Sequence, residues 1–181
     1  MARQTFGRTW WGRAWIEALR HIAFSSRLPR GKSYANEGAV RAVNIKGSTV
    51  QARVQAWRKS AYDITIKLEP FSSAEQAAIK QLITANPALA TELCMGSMPK
   101  TFQQPDLRLF PTAWRELSAY CSCLDWANPC KHLAAVYLIL TSEIDKDPFL
   151  LFELRGLSRQ ELVETAGLGK VTTADDRFVP V

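Results

Sequence analysis

Cys121-Ser-Cys123, six further residues and Cys130-Lys-His132 gather three of the chain's four cysteines and one of its two histidines into twelve positions. Four soft or borderline donors packed so closely match the Cys₃His set of closed structural zinc sites; a catalytic zinc keeps one coordination position open for water. The cluster predicts bound Zn²⁺ acting as a structural staple. Three thiolates and a neutral imidazole around Zn²⁺ leave a net charge of about −1, tolerable beside basic side chains and helix amide groups.

The backbone must then bring the two pairs together, which limits the local fold. Residues two apart on a strand point the same way, so an extended Cys121–Cys123 can aim both sulfurs at one point. Two residues on a helix are about 200° apart, so Cys130 is expected just before a helix and His132 in its first turn. Pro129 suits that entry. A disulfide scaffold is disfavoured, because the chain opens with Met-Ala-Arg-Gln, shows no apolar signal-peptide core and has few cysteines. A reactive-thiol or Cys–His catalytic site is the remaining alternative, but it leaves two further thiols unexplained. Cys94, alone in an apolar helical context, is expected to be a small buried hydrophobe.

C-x-C-x₆-C-x-H followed at once by an apolar helix resembles the SWIM zinc finger. Phe6–Trp15, Cys123–Ala135 and Asp147–Phe152 are also similar to blocks of bacterial SWIM zinc finger proteins, so the resemblance spans most of residues 6–165. It implies Zn²⁺ held by Cys121, Cys123, Cys130 and His132. It also implies a module that binds DNA or protein, since SWIM domains occur with Swi/Snf-type helicase-like ATPases and Mutator-type transposases. The segment after Gly167 falls outside the resemblance.

At 181 residues and 47% hydrophobic content, the chain can bury a substantial core. No apolar run reaches the ~20 residues of a membrane span, so no membrane association is expected and the location expected is cytoplasmic. Charge is unevenly distributed. Residues 1–60 carry twelve Lys/Arg against Glu17 and Glu37, a net of +10, and the remainder carries −4. A basic front suggests a nucleic-acid face with Arg8, Arg13, Arg20, Arg27, Arg30, Lys32 and Arg53 as its candidates, DNA being favoured over RNA. Trp126 and Lys131, beside the ligands, are candidates for binding a protein partner.

Thr9 is placed to cap a helix reaching about Phe24, with Trp11, Trp15, Ala18, Leu19 and Ile22 on its core face. Ser25–Asn36, with Pro29, Gly31, Ser33 and Asn36, reads as a basic loop. Gly31-Lys-Ser33 is no phosphate loop, because position 26 is serine and no strand precedes it. Residues 39–46, Val50–Trp57 and Tyr62–Glu69 carry strand periodicity and predict a three-stranded antiparallel meander. Its polar face, with Gln51, Arg53, Gln55 and Lys67, could track a phosphate backbone; its apolar face needs a cover, expected from a helix over Ser73–Thr84 opened by a Ser73/Gln76 capping box.

Further helices are expected from Pro87 to Gly96, after His132, from Asp147 to Gly156 and from Ser158 to Gly167. The fold class expected is α+β, a meander with covering helices followed by a zinc finger hairpin packed on C-terminal helices. Its units are 1–96 (basic α+β), 97–110 (linker), 111–167 (finger and helices) and 168–181 (flexible tail). No carboxylate pair, Ser/His/acid set or nucleotide cradle stands out, so no enzyme activity and no small-molecule substrate are expected. The function expected is a binding module for nucleic acid, a helicase-like ATPase, or both; the alternative is a protein-interaction adaptor.

Overall fold

The computed structural model describes residues 5–24, 26–55, 61–125, 128–170 and 176–179. Ala56, Trp57 and Trp126 lie outside these residues, as do Arg3, Arg58 and Lys59. The meander forms as β1 (Val40–Lys46), β2 (Thr49–Val54) and β3 (Tyr62–Leu68), paired antiparallel. Gly47, at φ +51, supplies the left-handed residue that the tight β1–β2 turn requires.

Two more strands extend this meander into a five-stranded sheet of order β4-β3-β2-β1-β5. β4 (Leu117–Cys121) comes from the finger itself and pairs with β3. β5 (Asp176–Val179) pairs with β1, so these four residues of the expected flexible tail form a strand. Val179 is buried and Arg177 is ion-paired with Asp147, so this short strand is held by packing and charge together.

The helices are α1 (Trp10–Leu19), continued by a π-helical turn over Arg20–Phe24, α2 (Leu28–Asn36), α3 (Ser73–Ala85), α4 (Ala88–Cys94), α5 (Lys131–Lys146), α6 (Phe149–Leu154) and α7 (Arg159–Thr165). Leu28–Asn36 is therefore helix where a loop is expected. Pro29 sits in the first turn of α2, where its missing N–H costs nothing, while Leu28, Gly31 and Ala35 form a buried stripe at i, i+3 and i+7. Gly31 is there for closeness. A Cβ at this position would lie 2.5 Å from the Ala134 Cβ and 2.8 Å from its carbonyl carbon.

The cover over the sheet also differs from expectation. α5 lies against β1, β2 and β4, whereas α3 packs on α4 and α7. The apolar surface of α5 explains the exchange: every residue from Leu133 to Leu140 is at most 4% exposed, so one side can meet the sheet and the other α1 and α2. α3 buries only Ile79 and Ile83. Its capping box is Ser72 with Glu75, one residue earlier than expected, because the Glu75 carboxylate accepts from the Ser72 N–H. The Ser158/Glu161 box of α7 forms as expected.

Residues 97–110 do not act as a spacer between two cores. Met98, Phe102, Leu107 and Leu109 are buried in the same cluster as the sheet and α5, and Phe102 meets Phe152 edge-on at 5.2 Å. Cys94 is exposed, contrary to expectation, because Leu89, Ala90 and Leu93 occupy the inner side of α4. Among the described residues, no helix is long and apolar enough to cross a membrane.

Candidate metal centre

Three pieces of chain converge on the cluster. β4 ends at Cys121, and the turn beyond it carries Cys123. That turn is tied to β3 by two hydrogen bonds, from the Ser122 N–H to the Asp63 carbonyl (3.0 Å) and from the Asp63 N–H to the Ser122 hydroxyl (3.0 Å). Cys130 occupies the N-cap of α5 and His132 its first turn, as the spacing requires. The ligand atoms of Cys121, Cys123, Cys130 and His132 all lie within 4.8 Å of one another.

The distances suit an ion at the centre. His132 Nδ1 is 3.9 Å from the Cys121 sulfur and 3.8 Å from that of Cys130. A tetrahedral ion with bonds of about 2.3 Å to sulfur and about 2.0 Å to nitrogen would separate such atoms by about 3.5 Å. His132 and Cys130 are buried and the other two sulfurs half-buried, so little solvent reaches the donors.

Electrostatics point the same way. The Cys130 thiol is lowered to about 4, first by its hydrogen bond with Cys121, with His132 and the Leu133 N–H at the helix start adding to it. Cys121 is pushed up by that same contact and by burial, and Cys123 is pushed up chiefly by burial. Three thiolates cannot crowd together without a cation between them. The donor set thus fits a divalent metal that neutralises them.

A layer of aromatic rings surrounds the histidine. Tyr62 of β3 lies 4.7 Å from the His132 ring, and Tyr34 of α2 meets it edge-on at 5.3 Å. Lys131 sits over the Tyr34 ring at 5.6 Å. Nothing in the sequence spacing links positions 34 and 62 to 132. The inward alternation of β3 includes Tyr62, but only the tertiary fold brings it to the ligand.

The opposite end of α5 is anchored without any metal. Asp145 accepts from the N–H groups of Arg8 and Thr9, each at 2.9 Å, and from the Thr9 hydroxyl at 2.5 Å. Thr9 caps α1 by accepting from the Gly12 N–H at 3.0 Å, and the Trp11 indole donates to the Ile144 carbonyl at 2.7 Å. The Arg8-Thr9 lead-in thus delivers α1 onto α5.

The basic candidates are spread over three elements. Arg8, Arg13 and Arg20 lie on α1 and its approach, and Arg27, Arg30 and Lys32 lie on α2 and its N-cap. Arg53 stands on the sheet face turned away from α5, paired with Asp63 at 3.1 Å. Arg20 is paired with Glu17 at 3.4 Å, and the Arg13 guanidinium donates to the Arg8 carbonyl. Two exposed features escaped sequence reasoning: Leu124 on the ligand loop, 95% exposed, and the outward rings Tyr120 and Phe178.

Comparison with known proteins places this geometry. The family model of the SWIM zinc finger matches residues 102–140. The chain is 38% identical over 169 residues to the uncharacterized protein Rv2102 of Mycobacterium tuberculosis, covering 90% of this chain and 61% of the relative. The chain thus spans about three fifths of that relative's length. No solved structure matches it.

Proposed function

We propose, from the SWIM zinc finger matched at residues 102–140, that this chain is a zinc-stapled binding module for nucleic acid, DNA in preference to RNA. A Swi/Snf-type helicase-like ATPase is a second partner of the same proposal, and the setting is cytoplasmic. Zn²⁺ is the metal proposed, held by Cys121, Cys123, Cys130 and His132. When bound it supplies coordination and charge compensation, which pin the end of β4 to the start of α5. The module is not an enzyme.

The observation that carries this reading is the charge map. Residues 1–60 hold a net of +10, and Arg8, Arg13, Arg30, Lys32 and Arg41 among them are exposed on elements that cover the finger. Such a surface attracts a polyanion with little demand on sequence.

A competing adaptor role draws support from Leu124, exposed on the ligand loop beside Cys123, which would suit insertion into a partner protein. Salt separates the two. With about six phosphate contacts, affinity for a labelled DNA should fall on the order of 10³-fold between 50 and 200 mM salt. Absence of binding to duplex and single strand at the lower salt would leave the adaptor role in possession.

A further inference from the structure

The sheet has one covered face and one open one. α5 lies against the inner face, where Val43, Ile45, Val50, Ala52, Ile64 and Ile66 are buried. On the other face a single register row crosses all five strands: Tyr120 on β4, Thr65 on β3, Gln51 on β2, Asn44 on β1 and Phe178 on β5. Its two ends are aromatic, 64% and 65% exposed, and its middle is polar. Residues of this row and its neighbours line a shallow depression of about 350 Å³.

Two residues along the strands runs a parallel row of Ser118, Lys67, Thr49, Lys46 and, on β5, Asp176, which sits across from Lys46. Lysines and hydroxyls beside a line of aromatic, amide and hydroxyl groups are the two halves of a nucleotide-reading surface. Bases stack on rings and meet amides at their edges, and phosphates lie over ammonium groups. On the far side of the aromatic row, Arg53 answers the single described acid of that row, Asp63.

We propose that this open face binds single-stranded nucleic acid, with unstacked bases on Tyr120 and Phe178 and the backbone passing Lys67. The inference deepens the nucleic-acid reading above and rests on it. Spacing selects the strand form. Four inter-strand steps of about 4.8 Å put the two rings about 19 Å apart, so they take separate bases; a duplex keeps its bases stacked about 3.4 Å apart and offers neither face. A protein partner would fit a continuous apolar patch better than two rings divided by Thr65, Gln51 and Asn44.

The test uses the full chain and fluorescence anisotropy at 50 mM salt with labelled (dT)₂₀, (rU)₂₀ and a 20-base-pair duplex. Tyr120→Ala and Phe178→Ala should each weaken binding of a single strand about fivefold or more, with Tyr120→Phe retaining it and duplex affinity unmoved. Whichever of (dT)₂₀ and (rU)₂₀ binds tighter identifies the sugar. Both side chains are mostly exposed, so thermal melting should be unchanged and certifies folding. A double alanine variant that binds both strands like the wild type overturns this inference alone, as does a wild type that binds only duplex. A wild type that binds no nucleic acid overturns the parent reading as well. Loss of ATPase binding in the double variant, with strand binding intact, assigns the face to a protein.

Discussion

At its first turn α5 is held through Cys130 and His132, whose partners Cys121 and Cys123 come from the end of β4 and the turn beyond it. At its last turn it is held through Asp145, whose partners are backbone N–H groups of the lead-in to α1. Both anchors join α5 to chain far away in sequence or in direction, and both bring charge into a poorly solvated place. They differ in what neutralises that charge. The Asp145 carboxylate is met by donors the chain itself provides, so that end is complete on folding. Among the described residues no protein cation lies between the thiolates at the other end, and they need an ion. One end of the helix is therefore conditional and the other is not.

Metal removal should break this comparison most strongly. Structural zinc contributes on the order of 10 kcal/mol in finger peptides, so a chelator, or Cys130→Ser, should sharply lower the melting temperature. Hydrogen exchange should locate the loss: amides of β4 and the first turns of α5 exchange faster, while those near Asp145 and Trp11 stay protected. Uniform loss along α5 would show that the two ends are one cooperative unit. Because Cys121 and Cys123 are pushed up, they bind protons when the metal is absent and must release them when it binds; metal retention should weaken as pH falls.

Close packing along the helix comes next. Gly12 faces Asp145, and a Cβ there would lie 2.1 Å from the carboxylate oxygen; Gly31 faces Ala134 and Ala135 backbone at under 3 Å. Gly31→Val and Gly12→Val should each destabilise by about 3 kcal/mol or more, measured by urea unfolding of the metal-loaded protein. Gly31→Val should additionally loosen metal binding, since α2 carries Tyr34 onto His132. Gly12→Val should leave metal affinity intact. Equal effects of both on the metal would erase the distinction between the ends.

What the sequence revealed of these ends follows from distance along the chain. The ligand set, the N-cap placement of Cys130 and the Thr9 cap were legible because each depends on neighbours within a dozen residues. Asp145 was not, because a carboxylate that serves two N–H groups more than 130 positions away has no local signature. Gly31 misled for a related reason: a glycine in a helix–helix contact and a glycine in a loop look alike until the partner helix is known. The same holds for β5, too short for a periodic pattern and fixed by pairing with β1 and the Arg177–Asp147 contact. Cover for the sheet was assigned to α3 because it follows the sheet in sequence; apolar circumference favoured the more distant α5.

Asp145→Asn probes the unconditional end with less disruption. The amide can still accept from some of its donors, but the charge facing the start of α1 is gone. A loss of about 2 kcal/mol is expected in urea unfolding, the range for hydrogen bonds to a charged group. Metal stoichiometry should remain one per chain. Faster exchange should appear in the first turn of α1 and the last turn of α5.

The smallest effect should come from the rings around His132. Tyr34→Leu and Tyr62→Leu keep bulk and remove the aromatic contact, which is worth about 0.5–1.5 kcal/mol beyond area burial. At saturating metal the melting temperature should fall by only about 2–4 °C for each 1 kcal/mol lost. Metal exchange measures the outcome more directly, because the rings lie on a ligand and shield it from water. Release to a chelator should quicken in both variants, while Asp145→Asn should not change it. If release is as slow as in the wild type, the rings only fill space, and the conditional end of α5 is held by its four donors alone.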